Sequence, residues 1–407
     1  MLLLNGMDRA FEVALALLPH PTHAAIPRAE PIVRLKRLAT NSFLVLVACA
    51  VTIGAMEGIV RWKFPQPTGL THQDRYGLAL HWPGIVRYLP RYGHEVSFNS
   101  VGMRDREHAK EKRPGDIRVL VMGDSFMEAY QVPFEQSLPS LLEKSLAAQA
   151  GRGVEVINAG VSGWGTDDEL RYYTEYAREM KPDLVIVSMT LHNDISDNLR
   201  QVWHTERDGV LVEEDVAPMP WLRYQELRVK AYLSTRFQLY QLWRVVRHGG
   251  EMRVAATQLR SHVETLFDDP LQQPTARGMR LTELLLARLD SAVRSDGGRL
   301  ALVLLPLQFQ VSDPEFSRFT ATFADSAAVQ LDRPQAMVNE IATRLRIPVI
   351  DLLPGFRRWS SDGGGSLYLE GDGHWNVAGH KLATEVVAAR LVDDGLVQCL
   401  DDCRTGQ

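Results

Sequence analysis

From residue 117 onward the chain carries five short runs dominated by apolar residues: Ile117–Met122, Val154–Asn158, Leu184–Met189, Leu300–Leu305 and Val349–Leu352. Unbroken runs of this length, with no polar alternation, are expected of strands buried on both faces of a parallel sheet. Between them the apolar positions take up helical spacing, over Leu138–Gln149, Asp167–Met180, Gly278–Arg294 and Pro334–Arg344, with a last helix at Val377–Leu391. Strand and helix in strict alternation predict an α/β domain whose helices cover both faces of one sheet. One stretch breaks the pattern. Leu199 to Pro274 holds Trp203, Trp221 and Trp243, many arginines and several helical windows, but no clear strand. It reads as a helical insertion after the third strand. A lid or substrate platform, a packing elaboration and a membrane-facing surface all remain open for it.

Upstream, Phe43 to Met56 is uncharged and mostly apolar, and the wider window Leu38–Val60 reaches the roughly 20 residues that a membrane span needs. Arg28, Arg34, Lys36 and Arg37 precede it, with Arg61 and Lys63 after it, a bias that favours a cytoplasmic N-terminus. The expected layout is therefore a tail (1–37), a single-pass anchor (38–60), a turn-rich covering segment (61–114), the main domain (115–398, with the insertion at 199–274) and a short tail (399–407). That orientation puts the main domain outside the cytoplasmic membrane. A buried helix of a soluble domain, a cleaved signal peptide, and a lipidated Cys49 after Leu46-Val47-Ala48 are the competing readings of the same run.

Composition narrows the partners. At 407 residues, with 45% hydrophobic and 23% charged side chains, the chain can bury a full core. A net charge of -5 and no basic stripe interleaved with aromatics exclude nucleic acid as the expected partner. Three cysteines are too few for a disulfide framework, and Cys399 and Cys403 can be bridged or free.

The chemistry sits just after the strand runs. Gly123-Asp124-Ser125 closes the first, Asn158-Ala159-Gly160-Val161-Ser162-Gly163 ends and follows the second, His192-Asn193-Asp194 follows the third, and Asp372-Gly373-His374 precedes the last helix. A serine hydroxyl is a poor nucleophile at neutral pH and needs an imidazole to take its proton and a carboxylate to orient that ring. In open α/β sheets, ligands bind outside the carboxyl ends of the strands, where these segments lie. No histidine and carboxylate set has convincing metal-ligand spacing, and the glycine-rich Gly160–Gly165 lacks a phosphate-binding lysine.

These four blocks, in this order, resemble the GDSL-type or SGNH hydrolases, over roughly Ile117 to Leu391 apart from the insertion. The resemblance implies a flavodoxin-like three-layer fold with a five-stranded parallel sheet. It implies Ser125 as nucleophile, His374 as base and Asp372 as its orienting acid. Ser125 N–H, Gly163 N–H and the Asn193 amide would form the oxyanion hole, with no metal or organic cofactor. The implied reaction is hydrolysis of an acyl ester, with O-acetyl on a carbohydrate as the expected group, through an acyl-enzyme. The implied substrate is an acylated small molecule or glycan. The segment Val96–Asp105 resembles a membrane-tethered bacterial branch. Two departures stand out: Leu191 replaces a common glycine, and Asp372 and His374 are two rather than three residues apart. The loop Asp372-Gly373-His374-Trp375-Asn376 is closer to the Asp-x-His-Trp loop of alginate acetylation proteins. This keeps O-acyl transfer to a surface glycan open as an alternative, beside an idle anchored binding protein.

Other polar residues have plainer readings. Asp124 and Asp194 are expected to fix loops, Asn158 to tie its own loop together, and Arg104 and Asp105 to clamp the N-terminal segment. His380 reads as an ordinary helix residue, Trp164 as either cleft lining or packing, and Glu370 as a backup orienting acid.

Overall fold

The computed structural model describes residues 31–66, 69–150, 152–200, 202–247, 265–267, 270–312, 315–317 and 330–397. The chain divides between Lys63 and Phe64 into two compact units. Of the first, the described part is one 33-residue helix, Pro31–Lys63. It is apolar and long enough to cross a membrane by length and composition. The Cys399–Cys403 pair lies outside the described residues.

The second unit is built on a five-stranded parallel sheet. Its strands are β5 (Ile117–Gly123), β6 (Val154–Gly160), β7 (Leu184–Met189), β10 (Arg299–Leu304) and β11 (Val349–Asp351), and the order across it is β11-β10-β7-β5-β6. Renumbered along the chain this is the flavodoxin-like order 2-1-3-4-5. Each strand lies within a residue or two of its apolar run. Alternate residues feed opposite layers, as the strand's two-residue period requires. Leu120, Met122, Val185 and Val187 pack with Leu285 and Leu289 of helix Thr275–Ser295 on one face. Val119, Val121 and Ile186 pack with Leu142, Val387 and Leu391 on the other.

The predicted helix Asp167–Met180 is less regular than its spacing implies. It is α-helical over Thr166–Tyr172, widens to a π turn over Tyr173–Ala177 and tightens over Arg178–Met180. The insertion also differs from expectation, because it opens with an antiparallel hairpin, β8 (His204–Arg207) and β9 (Val210–Glu213), before helix Trp221–Arg236. The covering segment forms two more antiparallel pairs: β1 (Thr71–Gln73) with β2 (Ala79–His81), and β3 (Val86–Leu89) with β4 (His94–Ser97). Leu70, Ile85, Val96 and Phe98 give it a small core of its own.

The register sets the site. Gly123 pairs with Gly160, Met122 with Val187, and Leu304 with both Met189 and Asp351, so all five carboxyl ends share one edge. The three chain segments that leave β7, β5 and β6 therefore emerge side by side, with Ser125 in the middle.

Candidate active site

Ser125 begins a single turn of helix, Ser125–Glu128, that leaves β5 abruptly. Asp124 caps that turn by accepting from the Phe126 N–H at 3.0 Å. Its carboxylate also accepts from Thr190 Oγ1 and from Asn193 Nδ2, each at 3.0 Å, so it joins the turn after β5 to the start of helix Leu191–Asn198. Burial pushes the Asp124 carboxyl up, against the pull of these three donors.

Across the site, His374 Nε2 lies 2.8 Å from Ser125 Oγ, and His374 Nδ1 lies 2.6 Å from Asp372 Oδ1. The two-residue spacing works because Gly373 takes φ +84°, a conformation that costs a glycine little. The Asp372 carboxylate then reaches the ring of His374. Trp375 is fully buried against Phe126 and Phe356 and pins the loop to the core. Phe126 lies 4.9 Å from the imidazole, centroid to centroid, so the ring is held from its face as well as its edge. Burial raises the Asp372 carboxyl, but the His374 ring, the Tyr92 hydroxyl and the Arg91 guanidinium together outweigh it and hold the group below its ordinary range.

The oxyanion candidates converge unevenly. Gly163 has φ +80° and open space where a Cβ would stand, so its peptide faces a free approach. Neither its N–H nor that of Ser125 makes a backbone hydrogen bond among the described residues. One N–H of the Asn193 amide is committed to Asp124. The same amide also interacts with Asp197, whose carboxyl is pushed up to about 6, chiefly by burial.

Residues that the sequence did not single out as parts of the site also support it. Arg91 and Tyr92, in the turn between β3 and β4, both contact Asp372 Oδ2, at 2.7 and 3.1 Å. They lie some 280 residues away along the chain, and no spacing could have linked them. Glu128 ends the turn that begins at Ser125, is fully buried, pairs with His81 of β2 at 2.5 Å and accepts from the Ser162 hydroxyl, next to Gly163. Its only signal was a lone acid inside an apolar stretch. Arg200 donates to the Gly163 carbonyl at 2.7 Å and to Asp168 at 3.1 Å, fixing the loop after β6 from its outer side.

The residues with plainer expectations also find their partners in the fold. Arg104 is buried and donates to the carbonyls of Glu128, Ala129 and Val132, while Asp105 accepts from the Asn158 N–H at 2.7 Å. The Asn158 side chain donates to the Arg104 and Met127 carbonyls and accepts from the Gly160 N–H. Trp164 packs rather than lining the cleft, with Nε1 donating to Ala79. Leu191, in place of a glycine, is buried in the core layer that covers one face of the sheet. His380 accepts from the Leu138 N–H, and burial pulls its pKa down to about 3. Glu370 lines a separate open cavity of about 390 Å³ with Trp359 and Ser366, and the imidazole's acid partner is Asp372. Among the described residues no cluster of histidine, cysteine and carboxylate side chains is arranged to hold a metal ion.

Against known proteins, residues 121–382 match the family model of GDSL-like lipases and acylhydrolases. A curated arylesterase of Vibrio mimicus is 30% identical over 127 residues, which is 28% of this chain and 63% of that protein. The match thus spans less than two thirds of the relative's length. Among solved structures, TesA is 17% identical with a TM-score of 0.35, covering 67% of this chain and 97% of its own. An acetylxylan esterase from Geobacillus stearothermophilus is 16% identical with a TM-score of 0.38, covering 68% and 94%.

Proposed function

The chain belongs to the GDSL-like lipase/acylhydrolase family, and from that premise we propose that it is a serine esterase working through an acyl-enzyme. The observation that carries the proposal is the unbroken line from Ser125 Oγ to His374 Nε2 and from His374 Nδ1 to Asp372, at 2.8 and 2.6 Å. In the forward step Ser125 Oγ forms a bond to the acyl carbonyl carbon while His374 takes the hydroxyl proton. Asp372, held as a carboxylate, stabilises the imidazolium that results. The ring then returns the proton to the leaving alcohol, and water enters by the same route to release the acid and free the serine. The oxyanion is proposed to receive the N–H groups of Ser125 and Gly163 and the second N–H of Asn193. That last donor requires the Asn193 amide to give up its interaction with Asp197 when substrate binds.

The acyl group is proposed to be small, with an O-acetyl ester on a carbohydrate as the preferred substrate. The Pro31–Lys63 helix is proposed as a single-pass anchor that holds the second unit outside the cytoplasmic membrane. A fluorophosphonate probe tests the reaction class: label is expected on Ser125, and label that survives His374→Ala sinks the mechanism. The Asp372–Trp375 loop favours a second reading, in which a sugar hydroxyl rather than water resolves the acyl-serine. Incubation with a chromogenic acetyl ester, with and without oligosaccharide acceptors, separates the two. Acetylated acceptor accumulating without matching acetate release means transfer.

A further inference from the structure

Helix Trp221–Arg236 and the following helical run 238–247 bury several polar side chains against their own domain and leave large apolar ones exposed among charged residues. Ser234, Thr235 and Gln241 are buried. Thr235 Oγ1 donates to the Gly69 carbonyl at 2.6 Å, and the Gly69 N–H donates to the Ser234 carbonyl at 3.3 Å. Outward stand Trp221, Val229, Tyr232 and, at 76% and 78% exposure, Leu222 and Val246. Water disfavours so many large exposed apolar side chains on one segment, and their gathering there marks an interaction surface.

Charge narrows what the surface meets. Residues 221–247 carry six cations (Arg223, Arg228, Lys230, Arg236, Arg244 and Arg247) against the single anion Glu226, a local balance of +5 in a chain whose net charge is -5. Aromatic and aliphatic side chains interleaved with arginine on one helical surface suit the headgroup region of a bilayer. There the apolar groups enter the acyl boundary while the cations meet anionic lipid.

Chain connectivity says which bilayer. The Gln66 N–H donates to the Gln238 side chain, so the start of the second unit is bonded to these helices. Lys63, which ends the apolar helix, precedes Gln66 by three residues, a reach of at most about 11 Å. The helix closes on Arg61-Trp62-Lys63, residue types that settle at membrane interfaces.

We propose that the outward face of residues 221–247 docks on the anionic lipid surface of the membrane in which Pro31–Lys63 is anchored, giving the catalytic unit a second attachment. The proposal rests on the anchor reading above. The test uses the full chain in vesicles of phosphatidylcholine and phosphatidylglycerol. Its three cysteines are replaced by serine, and single nitroxide labels are introduced through Leu222→Cys, Val246→Cys, Ile53→Cys and Lys381→Cys. The ratio of collisions with oxygen to collisions with a nickel chelate reads immersion. Labels at 222 and 246 are expected to give lipid-like ratios, severalfold above the label at 381. These should fall in phosphatidylcholine alone, and Arg223→Gln with Arg247→Gln should lower the docked population about fivefold per charge. Water-like ratios at 222 and 246 with a lipid-like ratio at 53 overturn the docking and leave the anchor standing. A water-like ratio at 53 alone removes the anchor and leaves the docking, and water-like ratios at all three remove both.

Discussion

Asp124, beside the serine in sequence, and Asp372, beside the imidazole in space, have the same side chain and opposite surroundings. Asp124 is completely buried and its charge is opposed by burial, with Glu169 and Asp194 as further buried carboxyls near it. It acts by accepting hydrogen bonds that lock a turn. Asp372 stands next to a cation, a phenol and an imidazole, and is held ionised. The contrast teaches that environment, and not closeness to Ser125 along the chain, decides which carboxylate meets the imidazole ionised.

The sharpest break comes from the imidazole side. Ser125→Ala or His374→Ala is expected to abolish esterase turnover, by about a million-fold in kcat. Asp372→Asn leaves the loop in place but stabilises the wrong tautomer, with an expected loss of about ten-thousand-fold. If steady-state kinetics show Asp124→Asn costing as much as Asp372→Asn, the assignment of roles is wrong. Asn193→Ala should lower kcat about 100- to 1000-fold, with KM moving much less. Asp124→Asn, which acts only by loosening the turn and the Asn193 amide, should cost about 100-fold or less.

Smaller effects sharpen the same contrast. Tyr92→Phe and Arg91→Ala each remove one contact to Asp372, and Arg91 is largely exposed. Each should lower kcat only severalfold, about what one hydrogen bond contributes. The pH dependence of stability should then run in opposite directions for the two carboxyl sets. Asp372 is lowered in the fold, so its contribution is present above the ordinary carboxyl range and lost as pH falls through its lowered value. Glu169 and Asp194 are raised well above their ordinary values, burial being the main cause. Their contribution is complete below the ordinary carboxyl range and lost as pH rises through the raised values. Glu169→Gln, an analogue of the neutral acid, should raise Tm by more than about 2 °C near pH 9 and change it little near pH 4. Equal shifts at both ends would mean that Glu169 matters only for packing.

The parallel strands were readable because each is buried on both faces, so its sequence is a nearly unbroken apolar run. The hairpin β8–β9 was not, although Asp208-Gly209 at its tip is a usable turn signal and takes the left-handed backbone that such turns need. Its strands are four residues each, β8 polar and β9 mostly apolar, and they lack the apolar alternation by which short strands announce themselves. Glu128 could have been suspected from one acid within an apolar turn. Arg91, Tyr92 and Arg200 could not, because each acts across a gap in sequence that only folding closes.

The sequence by itself determined the alternation of strand and helix, the long apolar N-terminal run, and the four blocks whose serine, glycine, asparagine and histidine lie beyond the carboxyl ends of strands. Local spacing encodes these, since periodicity and turn chemistry act over a few residues. Only the tertiary structure decided what steadies the aspartate beside the imidazole, how Asp124 joins two strand ends, and that part of the insertion leaves large apolar side chains exposed. Those outcomes depend on burial, distance and the company of groups that are remote along the chain.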